Sequence, residues 1–410
     1  MGQLTGWTGR IGVGIVAVLA ATACSGGSDG AGNGNGNGNG DPAGGDTPVA
    51  PAEVESFTGA VDAFYDVPDP LPAGEPGQLI RTMPIDAPPG EVGLRIMYHS
   101  TDAEGDDRAV TGLVYHPTDP PPDGGWPILA WAHGTSGMAP PCAPSRVPAA
   151  PPDFGVQGVK VATDYIGLGP DGELHAYLSA AAEGHAVVDG VAAARALPEA
   201  HAGDRWVAAG HSQGGHAALV TNEMAADRLP GAELLGTVAI APASELGASY
   251  GDQVQIRVIM MMVLFGAAYE DPAIDPADYL SPAAYAAASD VVPNGCIGDI
   301  ITDLVPVAAS PDVFVTDPRT DPVGSAWIDQ NDPGQVASAS PLLLVQGAQD
   351  MLVVPARTAA LFDRLCGLDQ VVDQLDLPTA THDTEITEGH DQIASWIAAR
   401  FAGDPSPNDC

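Results

Sequence analysis

The sequence predicts an α/β fold: a mostly parallel sheet flanked by helices, with a helical cap inserted late in the chain. Three observations predict it. Short apolar, strand-like runs alternate with longer helical stretches from residue 93 onward. A Gly-rich turn at 210–215 joins one such run directly to a helix-forming one. The alternation then breaks once, over about 247–331, where Pro- and Asp-punctuated helical pieces replace it.

Composition bounds the rest. The 410 residues suit one large domain with an insertion, and 45% hydrophobic residues supply a substantial core. Asp and Glu outnumber Lys and Arg by 53 to 14, a net charge of −39. Such a surface repels phosphate backbones, which excludes nucleic acid as a partner, and the acidity itself serves solubility.

At the start of the chain, Arg10 precedes an apolar run over 11–21. That run is too short to span a bilayer but suits the apolar region of a secretory signal. Ala21-Thr22-Ala23-Cys24 resembles a bacterial lipobox, although Ala21 stands where Leu is usual. Residues 1–23 are therefore expected to be a lipoprotein signal peptide, with Cys24 as the lipid-modified N-terminus. The product is expected outside the cell, lipid-anchored on the outer face of the membrane or secreted. Residues 24–53, with an Asn-Gly tract over 33–40, cannot bury apolar surface and form a flexible tether. Its reach is about 30 Å. The folded domain is expected over 54–410.

Strands are predicted at 93–99, 109–115, 127–132, 158–162, 205–209, 234–239, 342–346 and 371–375. Helices are predicted at 174–197, 214–228, 356–366 and 391–401, the last with Ile393, Trp396, Ile397 and Phe401 at helical spacing. Within the inserted stretch the run 258–265, rich in Met, reads equally as an interfacial lid or as a buried helix. With Cys24 set aside, Cys142, Cys296, Cys366 and Cys410 form two disulfides in an oxidising compartment, in any of three connectivities. No Cys or Cys/His spacing suggests zinc, and neither metal nor cofactor is expected.

The sharpest chemical signal is Gly210-His211-Ser212-Gln213-Gly214-Gly215. Glycine flanks permit the strained strand-to-helix turn that lifts a serine hydroxyl clear of the backbone, the nucleophile elbow of an α/β-hydrolase. A second G-x-S-x-G, around Ser249, lacks both an adjoining strand and an adjoining helix, so Ser212 is the expected nucleophile. The acid and the base then come later in chain order. Asp350 lies after the strand at 342–346 and a turn, where the acid belongs. His390, directly before the last predicted helix and after Glu388-Gly389, is the expected base, with His382 as the alternative. The main-chain N–H of Gln213 is one expected oxyanion donor, and Thr135, with Gly134 next to it, the other. Such a triad suits ester hydrolysis; the same chemistry also serves a serine peptidase or a cell-envelope acyltransferase.

These residues and their surroundings resemble the secretory lipase family, which includes the fungal lipase A enzymes. Phe64-Tyr65-Asp66-Val67-Pro68, Ala130-Trp131-Ala132-His133-Gly134-Thr135 and Cys142-Ala143-Pro144-Ser145 carry the likeness. So do Asp164-Tyr165-Ile166-Gly167-Leu168-Gly169, His175-Ala176-Tyr177-Leu178 and Glu183-Gly184, so that it covers roughly 64–401. The resemblance implies an α/β-hydrolase core, a helical cap in the inserted stretch, and an acylglycerol or simpler ester as substrate. It also implies that Cys142 pairs with Cys296, and Cys366 with Cys410.

Overall fold

The computed structural model describes residues 54–170, 172–249 and 253–410. The expected signal peptide, Cys24 and the tether lie outside the described residues. One sheet runs in the order β1-β2-β3-β4-β6-β5-β7-β8-β9-β10. Its strands are β1 (Glu55–Ser56), β2 (Leu79–Ile85), β3 (Glu91–Thr101), β4 (Asp107–Pro117), β5 (Trp126–Ala132), β6 (Val159–Thr163), β7 (Ala202–His211), β8 (Glu233–Ile240), β9 (Leu342–Gly347) and β10 (Val372–Leu377). From β6 to β10 every pairing is parallel. The sheet turns antiparallel only across β2, β3, β4 and β6. All eight expected strands form. Two additional ones, β1 and β2, escape the period-two pattern because β2 carries Arg81, Thr82 and Pro84.

Helices α1 (Val61–Phe64), α2 (Ala180–Arg195), α3 (Gln213–Arg228), α9 (Pro355–Gly367) and α10 (Glu385–Ala402) accompany the sheet. Between β8 and β9 the chain inserts α4 (Val254–Glu270), α5 (Pro276–Tyr279), α6 (Pro282–Val291), α7 (Ile297–Ala308) and α8 (Pro322–Asn331).

Strand β9 shows why parallel strands read as unbroken apolar runs. Leu343 and Val345 point to one face and pack with Ile393, Trp396 and Ile397 of α10. Leu342 and Leu344 point to the other, against Leu219 of α3 and Leu361 and Leu365 of α9. Both faces are covered by helices, so no polar alternation survives. Leu344→Ala leaves a cavity between layers and should cost about 2–5 kcal/mol, read as a lowered denaturation midpoint at unchanged slope.

The Met run of α4 is core. Met260, Met261 and Met262 are all buried, and the helix is apolar on nearly every side. Its burial favours the buried-helix reading over an exposed interfacial one. A disulfide joins Cys142, beyond β5, to Cys296 at the start of α7, and a second joins Cys366 of α9 to Cys410. The first is reinforced by main-chain bonds, Met138 N–H to the Gly295 carbonyl at 3.1 Å and Ile297 N–H to the Ser136 carbonyl at 2.9 Å. The loop after β5 is thus stitched to the inserted helices. Two disulfides fit an oxidising compartment. Among the described residues no helix is long and apolar enough to cross a membrane.

Two helix boundaries differ from expectation, and both matter. Helix α2 begins at Ala180, not 174, because Ser179 caps it by accepting from the Ala182 N–H. Residues 174–179 are instead a loop in which Leu178 adopts a positive φ of 60°. Helix α10 begins at Glu385, six residues before the expected start, and absorbs the Glu388-Gly389 pair. Gly389 serves close packing here, since a Cβ on it would sit 3.2 Å from Leu377 of β10.

Candidate active site

Strand β7 runs into α3 through Ser212, whose φ of 60° and ψ of −116° are costly for a residue with a side chain. The surroundings enforce that conformation. The Ser212 N–H donates to the Ile240 carbonyl at 2.9 Å, and its own carbonyl accepts from the N–H groups of Ala243 and His216. The turn also needs its glycines, because a Cβ on Gly210 would run into the Gly214 carbonyl and one on Gly214 into the Ala132 carbonyl.

Asp350 lies in the turn after β9 and is buried. Its Oδ1 accepts from the N–H groups of Leu352 at 2.7 Å and Val353 at 3.0 Å, which leaves Oδ2 to face the Nδ1 of His382 at 2.7 Å. The other ring nitrogen of His382, Nε2, lies 3.0 Å from the Ser212 hydroxyl oxygen. Burial disfavours the imidazolium of His382, but the hydrogen bond and charge of Asp350 outweigh it. With Glu385 and Asp383 adding to the pull, its pKa ends above the ordinary histidine value.

His390, the expected base, is not brought to Ser212. It lies inside α10, stacked on Phe154 with ring centroids 5.6 Å apart, and its Nδ1 is 3.2 Å from Asp391. The reason is the early start of α10. The segment that joins β10 to α10 is 378–384, and His382 is its histidine.

Gln213 is the first residue of α3, where main-chain N–H groups lack intrahelical partners. Its side-chain amide is buried, 2.7 Å from both Glu183 Oε1 and His175 Nε2. Glu183, fully buried, also accepts from the Leu178 N–H and faces His216 Nδ1 at 2.8 Å. This polar cluster beneath the turn ties α2, α3 and loop 174–179 together. Thr135 stands across the cavity, its Oγ1 2.7 Å from the Tyr177 hydroxyl. His211 packs on the far side of His382, with ring centroids 4.6 Å apart, and its Nε2 lies 2.9 Å from the His382 carbonyl. Sequence reasoning missed His211, Tyr177 and the bonding of Glu183. The only signals were the position of His211 inside the turn and the likeness motifs carrying the other two.

Ser212, His382, His211, Gly134 and Thr135 open onto a cavity of about 530 Å³. Leu246, Ile256, Ile259, Met260, Ile297 and Ile301 give it an apolar wall, mostly from α4 and α7. Ser249 is not at a strand–helix turn; it lies on the short turn Leu246–Ser249 and lines the same cavity. Among the described residues one group suits a metal by donor type, His211, His382 and Glu385, with ligand atoms within 4.8 Å of one another. His382 engages both ring nitrogens with Asp350 and Ser212, so an ion there would compete with that arrangement.

Solved structures share this architecture. Candida antarctica lipase A in its closed state superposes with a TM-score of 0.69 at 16% identity, covering 84% of this chain and 86% of that one. The rice cell wall degrading esterase LipA from Xanthomonas oryzae gives 0.66 at 17%, covering 80% and 98%. A putative hydrolase from Legionella pneumophila gives 0.64 at 17%, covering 78% and 91%. At such identities the likeness establishes the fold, that of the α/β-hydrolases. No curated protein matches the chain in sequence. The family model of the secretory lipases does match, over residues 155–409. That span includes the strained turn, the inserted helices and the loop of His382, and the chain belongs to the secretory lipase family of carboxylic-ester hydrolases.

Proposed function

We propose that the chain hydrolyses carboxylic esters through an acyl-enzyme, with Ser212 as nucleophile, His382 as general base and acid, and Asp350 as the group that orients His382. The observation that carries this reading is the single imidazole within hydrogen-bond distance of both the Ser212 hydroxyl and the Asp350 carboxylate. As Ser212 Oγ attacks the ester carbonyl carbon, its proton passes to His382 Nε2. Asp350 holds Nδ1–H and stabilises the imidazolium. Negative charge gathers on the carbonyl oxygen, facing the Gln213 N–H and the Thr135 side of the cavity. Collapse breaks the ester C–O bond, and the leaving alkoxide takes the proton from His382. Water, deprotonated by the same imidazole, then attacks the acyl-enzyme and releases the acid and Ser212.

The apolar wall from α4 and α7 suits an acyl chain, so acylglycerols or simpler acyl esters are the proposed substrates, and no observation favours peptide hydrolysis or acyl transfer. Export, with a signal over 1–23, a lipid on Cys24 and a tether over 24–53, is proposed from the sequence signals alone.

The pH profile tests the base. Only neutral His382 can take the proton, and its pKa is raised by Asp350. The kcat/KM for p-nitrophenyl butyrate should therefore rise with pH along a limb centred above 6.5, the ordinary histidine value. Asp350→Asn removes the carboxylate charge that favours the imidazolium, while Glu385 and Asp383 remain, and should move that limb downward. A limb that stays in place would separate His382 from the rate.

A further inference from the structure

Ser249 and Arg357 belong to the cavity wall but have no part in the chemistry above. Arg357, in the first turn of α9, is the one lysine or arginine among the described residues that line the cavity. Its Nη1 donates to the Ser249 Oγ at 2.8 Å, and Ser249, itself buried, passes its own hydrogen toward the Glu245 carbonyl at 3.4 Å. Among the described residues the remaining guanidinium donors make no hydrogen bond, and no carboxylate comes within 4.0 Å of them. The nearby acids are already committed. Glu245 pairs with Arg364 at 2.6 Å, and Asp350 gives one oxygen to His382 and the other to main-chain N–H groups. Burial lowers the pKa of Arg357 while the fields of Asp350 and Glu245 raise it, and the burial wins. Asp383 also lines the cavity but lies on its exposed side.

Arg357 is partly buried and keeps guanidinium donors to spare on the wall of a mostly apolar cavity, in a chain whose net charge is −39, which makes it the group there that suits an anion. We infer that Arg357, oriented by Ser249, binds a carboxylate carried by the substrate, so that the preferred esters are those of a dicarboxylic acid or of a carboxylated alcohol. Arg357 is thus a specificity-determining residue, and the inference rests on the ester-hydrolase reading for its substrate but not for its anion.

Two matched pairs test it by titrating released acid. Monoethyl adipate against ethyl hexanoate places the carboxylate on the acyl side, and 3-butyryloxybenzoate against phenyl butyrate places it on the alcohol side. In one pair the wild-type kcat/KM should favour the charged ester. Arg357→Met should lower that acid-to-neutral ratio roughly 10- to 100-fold, the scale of a charge-assisted hydrogen bond, with Arg357→Lys in between. Taking a ratio within each variant cancels general losses of activity. Ser249→Ala, which leaves the α9 side chain in place, should lower the ratio in the same direction and guards against misfolding of the Met variant. Calorimetric binding of adipate and of 3-hydroxybenzoate needs no turnover, and one of them should bind the wild type and not Arg357→Met. An unchanged ratio in Arg357→Met, or neutral esters preferred in both wild-type pairs, overturns the inference. Absence of all ester hydrolysis with Arg357-dependent binding intact would instead overturn the ester reading and leave the anion site standing.

Discussion

His382→Ala is expected to lower kcat for p-nitrophenyl butyrate by roughly 10⁴-fold or more, whereas His390→Ala should stay within a few-fold of the wild type. The contrast comes from position. His382 bridges Ser212 and Asp350 at 3.0 and 2.7 Å, while the nearest polar partner of His390 is the side chain beside it in sequence. Without the imidazole the serine must lose its proton to water, and the leaving group must depart as a bare alkoxide. His390 contributes a stacking contact with Phe154 on a partly exposed helix face, so its removal touches stability slightly and the cavity not at all. Steady-state kinetics on the two variants, with circular dichroism to confirm folding, decides the matter. A large loss in His390→Ala with His382→Ala active would reverse the assignment.

Ser212→Ala is expected to remove roughly 10⁴–10⁶ in kcat with the fold intact. Alanine keeps the Cβ that the positive-φ position already tolerates, so the strained turn and its hydrogen bonds to Ile240, Ala243 and His216 persist. Only the hydroxyl is lost. Residual turnover then measures what the cavity and its oxyanion donors do with water alone. Retention of the wild-type rate would move the chemistry elsewhere, Ser249 being the other serine lining the cavity.

Much of the fold was legible because its signals are local. The run Leu342-Leu343-Leu344-Val345 announces a strand covered on both faces, and Asp350, in the turn beyond it, occupies the place of a strand-end carboxylate. The turn at Ser212 was legible because steric exclusion at Gly210 and Gly214 leaves no alternative residue. The histidine was not. Glu388-Gly389-His390 reads as the end of a loop, yet Gly389 is a helix residue selected for close approach to β10, a requirement that exists only once the two are packed. Residues 174–179 misled in the same way: nothing in their composition breaks a helix, and the loop is held open by the buried carboxylate of Glu183 bonding the Leu178 N–H. The second G-x-S-x-G forms no strand–helix turn, yet its serine lines the cavity and accepts from Arg357, 108 residues distant in sequence.

The most direct measurement treats the purified domain with an alkyl fluorophosphonate and maps the adduct by mass spectrometry. A hydroxyl activated by a neighbouring imidazole displaces fluoride and becomes phosphonylated. The adduct should fall on the peptide carrying Ser212, at one equivalent per chain, and should form far more slowly in His382→Ala. An adduct on another serine, or labelling indifferent to His382, would contradict the proposed nucleophile and its base.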